Sequence, residues 1–362
     1  MTEQLAEEIF RQAGESIEVL TPPYDAVVAR ARERRRRLRR TVAASVAAGL
    51  VVVGAVTWVA TRPEKTAEPA PTRVVPSRNP IDIAWYDGRL HLRAVAVELP
   101  DLTSVIGVGD GAAYIDTDGA VGLVAADGAV QLVGRAAPGA PILGSGENGW
   151  AAWLEPAGDG SRLVVWSVGV GDEVGSIVVS PETRLIAIDQ DRVYAEGDDG
   201  AFAWRTTEAE PEQLDVGDLA DVASATRVYQ HGRRIEMVQP FFSVSFTRRG
   251  EGATVSPGGN FVLSRLPAPW VPGMPYTPLL YDTRSGNLLP SGVAADERVV
   301  DAAFGDNNRI DYLVADLRDL AGADLDGARS RLLVLRSCEL ETAVCHDVVP
   351  VRSAGDRAMF AP

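Results

Sequence analysis

Two cysteines, three histidines and seven tryptophans are the residues of this 362-residue chain best able to do chemistry, and their spacing limits what that chemistry can be. Cys338 and Cys345 flank Glu339-Leu340-Glu341-Thr342-Ala343-Val344, between the strand-like runs RLLVLRS and HDVVPV. A hairpin of that length brings the two thiols face to face. The spacing predicts a disulfide, a bond that persists outside the reducing cytoplasm. With His346 beside them the pair offers three ligands, one short of a structural zinc site. His91, His231 and His346 are dispersed along the chain, and no Gly-x-Ser-x-Gly nucleophile elbow occurs. Gly107-Val108-Gly109-Asp110-Gly111 and Gly169-Val170-Gly171 precede no helix, so they lack the N-terminus that would hold a phosphate. Asp116-Thr117-Asp118-Gly119 and Asp324-Leu325-Asp326-Gly327 start like calcium loops but lack the third ligand and the downstream Glu. All four read as strands and turns. The sequence therefore predicts no catalytic residue, no metal and no cofactor.

Trp150, Trp153, Trp166 and Trp204 fall in strand-like runs and are expected to pack as core. Trp270 differs. It lies in RLPAPWVPGMPYTP with Met274 and Tyr276, a proline-rich insertion of the kind that often binds. Trp270, Met274 and Tyr276 form the candidate binding loop.

The elements that must position these residues are strands. From Ile81 onward, apolar runs of four to eight residues alternate with Gly, Asp, Asn and Pro turns. Asp-Gly recurs at Asp87-Gly88, Asp110-Gly111, Asp118-Gly119, Asp127-Gly128, Asp159-Gly160 and Asp199-Gly200, supplying the positive φ that tight hairpin turns need. No long amphipathic helix appears. The runs group in fours over 105–134, 142–180 and 184–216. A four-strand unit of about 40 residues is the period of a β-propeller blade, which cannot cover both faces alone and must stack on its neighbours.

TVSPGGNFVL (254–263) resembles the first hairpin of WD-repeat and TolB-type propeller blades. YDTRSGNLL (281–289) is similar to their outer hairpin, while AFGDNNRI (303–310) and 333–349 are weaker copies of the two. The Trp-Asp dipeptide is missing, and 218–292 is longer than one blade. The resemblance implies an all-β propeller over 81–362; five complete repeats plus the strands of IDIAWYDGRLHLRAVAVEL give six blades, with five and seven left open and a two-sheet sandwich array as the alternative. The strands of 81–97 lack a four-strand group of their own, so they are expected to join C-terminal residues in a closing blade.

Thr41 to Ala60 is twenty residues without a charge, enough to cross a hydrocarbon core of about 30 Å as a helix. Arg30, Arg32, Arg34, Arg35, Arg36, Arg37, Arg39 and Arg40 precede it, with Glu33 the only acid among them. The positive-inside rule puts residues 1–40, a short helical segment, in the cytoplasm and the rest outside, with the arginines against anionic headgroups. A cleaved signal peptide would need a forty-residue n-region and a small residue where Trp58 stands. Residues 61–80, EKTAEPAPTRVVPSRNP among them, read as a proline-rich spacer. Beyond residue 40 the chain carries 26 basic and 43 acidic groups, which argues against nucleic acid as a partner. Lys65 is the only lysine, and heavy Ala, Val, Gly and Arg use resembles proteins of high-GC actinobacteria.

These features together predict a single-pass cell-membrane protein whose extracytoplasmic propeller is a binding or scaffold module for a protein, peptide or envelope glycan. The alternative is a transmembrane regulator that resembles membrane-bound anti-sigma factors in layout, with a cytoplasmic protein partner. A propeller enzyme ranks third.

Overall fold

The strands form where the sequence places β-branched and aromatic residues between residues able to take positive φ. In the computed structural model thirteen glycines and six other residues among the described ones do so, nearly all in the connections between strands. The structure describes residues 73–99, 101–137, 140–214, 217–266, 274–305, 308–320, 332–352 and 358–361. The chain divides into two units, Met1–Ala67 and Glu68–Pro362. The expected cytoplasmic segment 1–40, the apolar run 41–60, most of the spacer 61–80 and Trp270 lie outside the described residues. No helix among the described residues is long and apolar enough to cross a membrane.

Seven antiparallel sheets make up the second unit. Blade 1 comprises Leu102–Val108, Gly111–Asp116, Ala120–Val124 and Val130–Arg135. Blade 2 comprises Leu143–Ser145, Trp150–Ala157, Gly160–Ser167 and Asp172–Val179. Blade 3 comprises Arg184–Asp189, Arg192–Gly197, Gly200–Arg205 and Glu212–Gln213. Blade 4 comprises Leu219–Ala223, Thr226–His231, Arg234–Gln239 and Val244–Arg249. Blade 5 comprises Glu251–Val255, Phe261–Arg265, Pro278–Asp282 and Leu288–Leu289. Blade 6 comprises Glu297–Phe304, Arg309–Asp316, Leu332–Glu339 and Cys345–Arg352. Within each of these six blades the strands lie in chain order, and the first strands of blades 1 to 5 neighbour one another in succession, as do those of blades 6, 7 and 1.

Blade 7 closes the ring with strands from two distant parts of the chain. Its first strand is Met359–Ala361, followed outward by Ala84–Tyr86, Arg89–His91 and Val95–Glu98. Trp85 pairs with Phe360 and Tyr86 with Met359. The closure expected for residues 81–97 is the one observed. The sheet also extends further upstream than residue 81: Val74–Pro76, inside the expected spacer, adds an outermost strand along Val95–Val97. Pro76 is tolerated there because an edge strand has no second partner for its missing N–H.

Seven blades correct the expected six, and the reason is local. Residues 218–292 hold two blades, not one long one. Blade 4 carries no Asp-Gly turn. Its first hairpin turns through Ser224 and Ala225, both at positive φ (47° and 63°). That conformation is unfavourable for either residue type. It is held from blade 3, where the Asp189 carboxylate accepts from Ser224 N–H at 2.9 Å and Ala225 N–H at 3.0 Å. A turn stabilised from outside leaves no sign in its own residues.

Apolar side chains fill the spaces between blades. Trp153 is fully buried among Ile115, Val121 and Leu123 of blade 1 and Val164 of its own sheet. Trp204 plays the same part between blades 2 and 3, beside Leu163 and Val165. Trp150 and Trp166 pack partly buried at the edges of these clusters. The interface of blades 7 and 1 buries Tyr86, Leu90, Val97, Met359 and Tyr114.

Closure rests on a short strand. Met359 and Phe360 are 5% and 3% exposed, and Phe360 N–H donates to Asp301 of blade 6 at 2.9 Å. Two such side chains contribute about 4 kcal/mol by burial alone. Deleting residues 358–362 is expected to lower the unfolding free energy by about 5 kcal/mol in denaturant titration, and Asp301→Ala by about 1–2 kcal/mol.

Candidate functional site

In every blade the first-to-second and third-to-fourth connections leave one end of the sheet. The second-to-third connections and the blade-to-blade connections leave the other. The Asp-Gly turns of the sequence sort accordingly. Asp87-Gly88, Asp118-Gly119, Asp159-Gly160 and Asp199-Gly200 are the second-to-third turns of blades 7, 1, 2 and 3, all on one face. Blade 4 has Gly232-Arg233 at the same place, and blade 5 has 266–277.

The charge of this face changes where the turn residues change. Blades 7 to 3 present Asp87, Asp118, Asp159, Asp198 and Asp199. At the same end of blades 4 and 5 lie Arg233, Arg234, Arg249 and Arg265. A protein with a net charge of −15 thus carries a basic sector beside its expected binding loop. Among the described residues no group of His, Cys, Asp and Glu could hold a metal ion.

The loop 266–277 joins the second and third strands of blade 5. Tyr276 is 6% exposed and its backbone exchanges two hydrogen bonds of 2.9 Å with Val299, in the first strand of blade 6. The Arg265 guanidinium lies over its ring, 4.8 Å from the centroid. Tyr276 therefore fixes the end of the loop across two blades, with its ring in the core they share. Met274 is partly buried just ahead of it. On blade 6 the corresponding connection is 317–331, so two adjacent blades carry long connections on this face.

The opposite face carries the cysteines. Cys338 and Cys345 pair across the last hairpin of blade 6 and are disulfide-bonded, as their spacing predicts. Gly292, in the connection from blade 5, passes so close that a Cβ there would sit 2.0 Å from Cys345 Sγ; its φ of +73° also favours glycine. The same face presents apolar hairpin tips, with Phe241 and Phe242 at 81% and 65% exposure on the third-to-fourth turn of blade 4.

Of the histidines, His91 stacks on Trp85 at 4.0 Å and meets Asp87 at 2.9 Å, bracing the first hairpin of 81–97. His231 meets Glu236 at 3.2 Å. His346 lies opposite Ser337 in blade 6. The three belong to separate strands with separate partners.

Sequence reasoning missed a set of polar links between first strands. Ser104 Oγ accepts from Ile142 N–H at 3.3 Å, from blade 1 to blade 2. Asp221 accepts from its neighbour Val222 N–H at 2.8 Å and from Val255 N–H of blade 5 at 2.7 Å. Asp301 does the same with Ala302 and with Phe360 of blade 7, at 3.0 and 2.9 Å. Each follows a β-bulge in its first strand, which turns the side chain toward the next blade. The only trace in the sequence is a short recurrence, Leu-Thr-Ser-Val, Leu-Ala-Asp-Val and Val-Val-Asp-Ala, at 102, 219 and 299.

No protein-family model matches the chain, and no curated protein sequence matches it. Solved structures do. The chain is similar to Hsv2 of Kluyvelomyces marxianus, at 11% identity and a TM-score of 0.45 over 67% of this chain and 73% of that one. It is similar to the WD40 β-propeller domain of Doa1, at 12% identity and 0.39 over 69% and 82%. It is also similar to hydrazine synthase of Kuenenia stuttgartiensis, at 10% identity and 0.41 over 72% and 97%. The seven sheets themselves make the fold a seven-bladed β-propeller. At these identities the likeness concerns fold alone, and function must be argued from the site.

The Asp221 link titrates. Burial pushes its carboxyl up to about 7, against the pull of the Val255 and Val222 N–H groups, with Asp189 adding a further rise. In the unfolded chain it returns to about 3.9. The protonated form is thus favoured on folding, and its contribution is complete below pH 4 and lost as pH rises through 7. Wild type is expected to lose stability relative to Asp221→Asn between pH 4.5 and 7.5, by up to about 1.4 kcal/mol per pH unit. Above pH 8 the two should run parallel in thermal unfolding.

Proposed function

We propose that the protein is a membrane-anchored, extracytoplasmic binding module, and that its ligand face is the one formed by the second-to-third connections of blades 4 to 6. The observation that carries this reading is a contrast in length. These connections span 266–277 and 317–331 in blades 5 and 6, against two or three residues in blades 7 and 1 to 4. Long connections on a rigid scaffold are where binding residues concentrate. Blade 5 supports its insertion with the Tyr276–Val299 bridge, so the strands below need not yield when the loop engages a ligand.

Trp270 is the proposed contact, flanked by Met274, with Tyr276 as the anchor. The partner is an extracytoplasmic protein, peptide or envelope glycan. The span 41–60 is the proposed anchor, and the arginines Arg30 to Arg40 the headgroup contact on the cytoplasmic side.

A photo-crosslinking residue placed at Trp270, and separately at Phe242 on the opposite face, tests the choice of face in intact cells. Adducts are expected from position 270 and should vanish when 267–273 is replaced by a Gly-Ser linker that keeps Tyr276. Adducts from position 242 alone would reject the reading. Anchoring is tested independently. The full chain is expected to stay in carbonate-washed membranes, and a chain lacking 41–60 to leave them.

A further inference from the structure

Three residues of blade 4 lie in one row across three strands. His231 pairs with Arg234, and Arg234 with Arg249. Residues directly opposite in an antiparallel pair project from the same face of the sheet, so the Arg234 and Arg249 side chains leave blade 4 from neighbouring positions on one face. Like charges in that relation repel. Both arginines are exposed, and among the described residues neither has a carboxylate within ion-pair distance.

The acids that could neutralise them are engaged elsewhere. Glu236, one row further along the same face, accepts from Ser245 Oγ at 2.6 Å and from His231 at 3.2 Å. Glu251 faces Arg233 at 3.6 Å. On blade 3, whose fourth strand is only Glu212–Gln213, Glu212 is held by Arg192 at 3.0 Å. That short strand leaves the outer part of blade 4 uncovered. Arg248 next in sequence points to the other face, where it bonds Gly286 O and covers Phe246. In the row of His231, Arg234 and Arg249, the two arginines thus stand at paired positions with no carboxylate between them.

We propose that Arg234 and Arg249 form a binding site for a phosphate group, with His231 and Arg233 at its margin. Two arginines on one face at paired positions can converge on one anion, to which they bring two charges and two N–H forks. A phosphate dianion neutralises both and accepts from both, whereas one carboxylate leaves a charge uncompensated. Exposed Thr247, in the next row, adds a hydroxyl donor. The site is distinct from the loop 266–277, so either proposal can fail without the other.

The test is calorimetric titration of the purified full-length protein with inorganic phosphate, glycerol phosphate and acetate at constant ionic strength. Phosphate is expected to bind, and the Arg234→Gln/Arg249→Gln variant to bind at least tenfold more weakly. Arg89→Gln, which removes an exposed arginine paired with Glu98 at 3.2 Å on blade 7, should leave binding unchanged. Tighter binding of glycerol phosphate than of inorganic phosphate assigns the group to a larger phosphoester; the reverse assigns it to the free anion. The double variant should melt no lower than wild type, because it removes a repulsion. Equal binding by wild type and double variant, acetate binding as tight as phosphate, the same loss in Arg89→Gln, or a lower melting point in the double variant would each overturn the proposal.

Discussion

A four-stranded sheet with two apolar faces is not stable in water until both faces are covered, and in this chain each blade is covered only by its neighbours. Trp153 is buried because blade 1 lies against blade 2; Trp204 is buried because blade 3 lies against blade 2. The condition runs around the ring and must be met at the seam. There, Met359–Ala361 supplies a first strand that residues 84–98 lack. Three residues thus complete a core assembled from sequence more than 250 positions away. The contact is non-local, so its loop-closure cost falls before its apolar burial is gained.

Apolar packing alone would allow blades to slide, since adjacent faces are broadly greasy. The polar links fix them. Ser104, Asp221 and Asp301 each stand after a bulge and reach one backbone N–H of the next first strand. The bulge matters because a regular strand would alternate these side chains into the faces of their own sheet. Two carboxylates accept a second bond from the residue that follows them, which fixes the rotamer as well as the register. Asp189 applies the same logic one step outward, holding the Ser224-Ala225 turn of blade 4. Each link joins a blade to its successor, at the interfaces of blades 1 and 2, 3 and 4, 4 and 5, and 6 and 7.

What the sequence made legible follows from this division. Features decided within one hairpin were readable: the Asp-Gly turns, the four-strand rhythm of blades 1 to 3, the cysteine pair and the second turn of blade 5. Features decided between hairpins were not. The Ser224-Ala225 turn has no glycine because its strain is offset from blade 3, and this hid the first hairpin of blade 4. Val74–Pro76 reads as spacer because its composition is that of an edge strand, short and proline-ended. Arg234 and Arg249 are fifteen positions apart in a chain rich in arginine, and only the register of the third and fourth strands of blade 4 puts them at paired positions. The candidate loop was visible as an insertion, yet the role of Tyr276 depends on Val299, a partner in the next blade.

The same closure explains why function can be carried by connections. With the blades held by their first strands and shared cores, most of a second-to-third connection lies outside the ring's packing and is free to vary; Tyr276, which bridges to Val299, is the exception in blade 5. Blades 7 to 3 use that freedom minimally, with tight turns that each place an acid on the face. Blades 4 to 6 use it differently, with arginines at the strand ends and two long connections. Solvent-exposed charges separated by more than about 10 Å are screened at ordinary ionic strength, so the acidic sector does little to neutralise the basic one. A local excess of positive charge on an acidic protein therefore survives as a feature that an anionic group can read. Its position next to the insertion of blade 5 follows from chain order: the turn at 232–233 and the loop at 266–277 occupy the same place in consecutive blades.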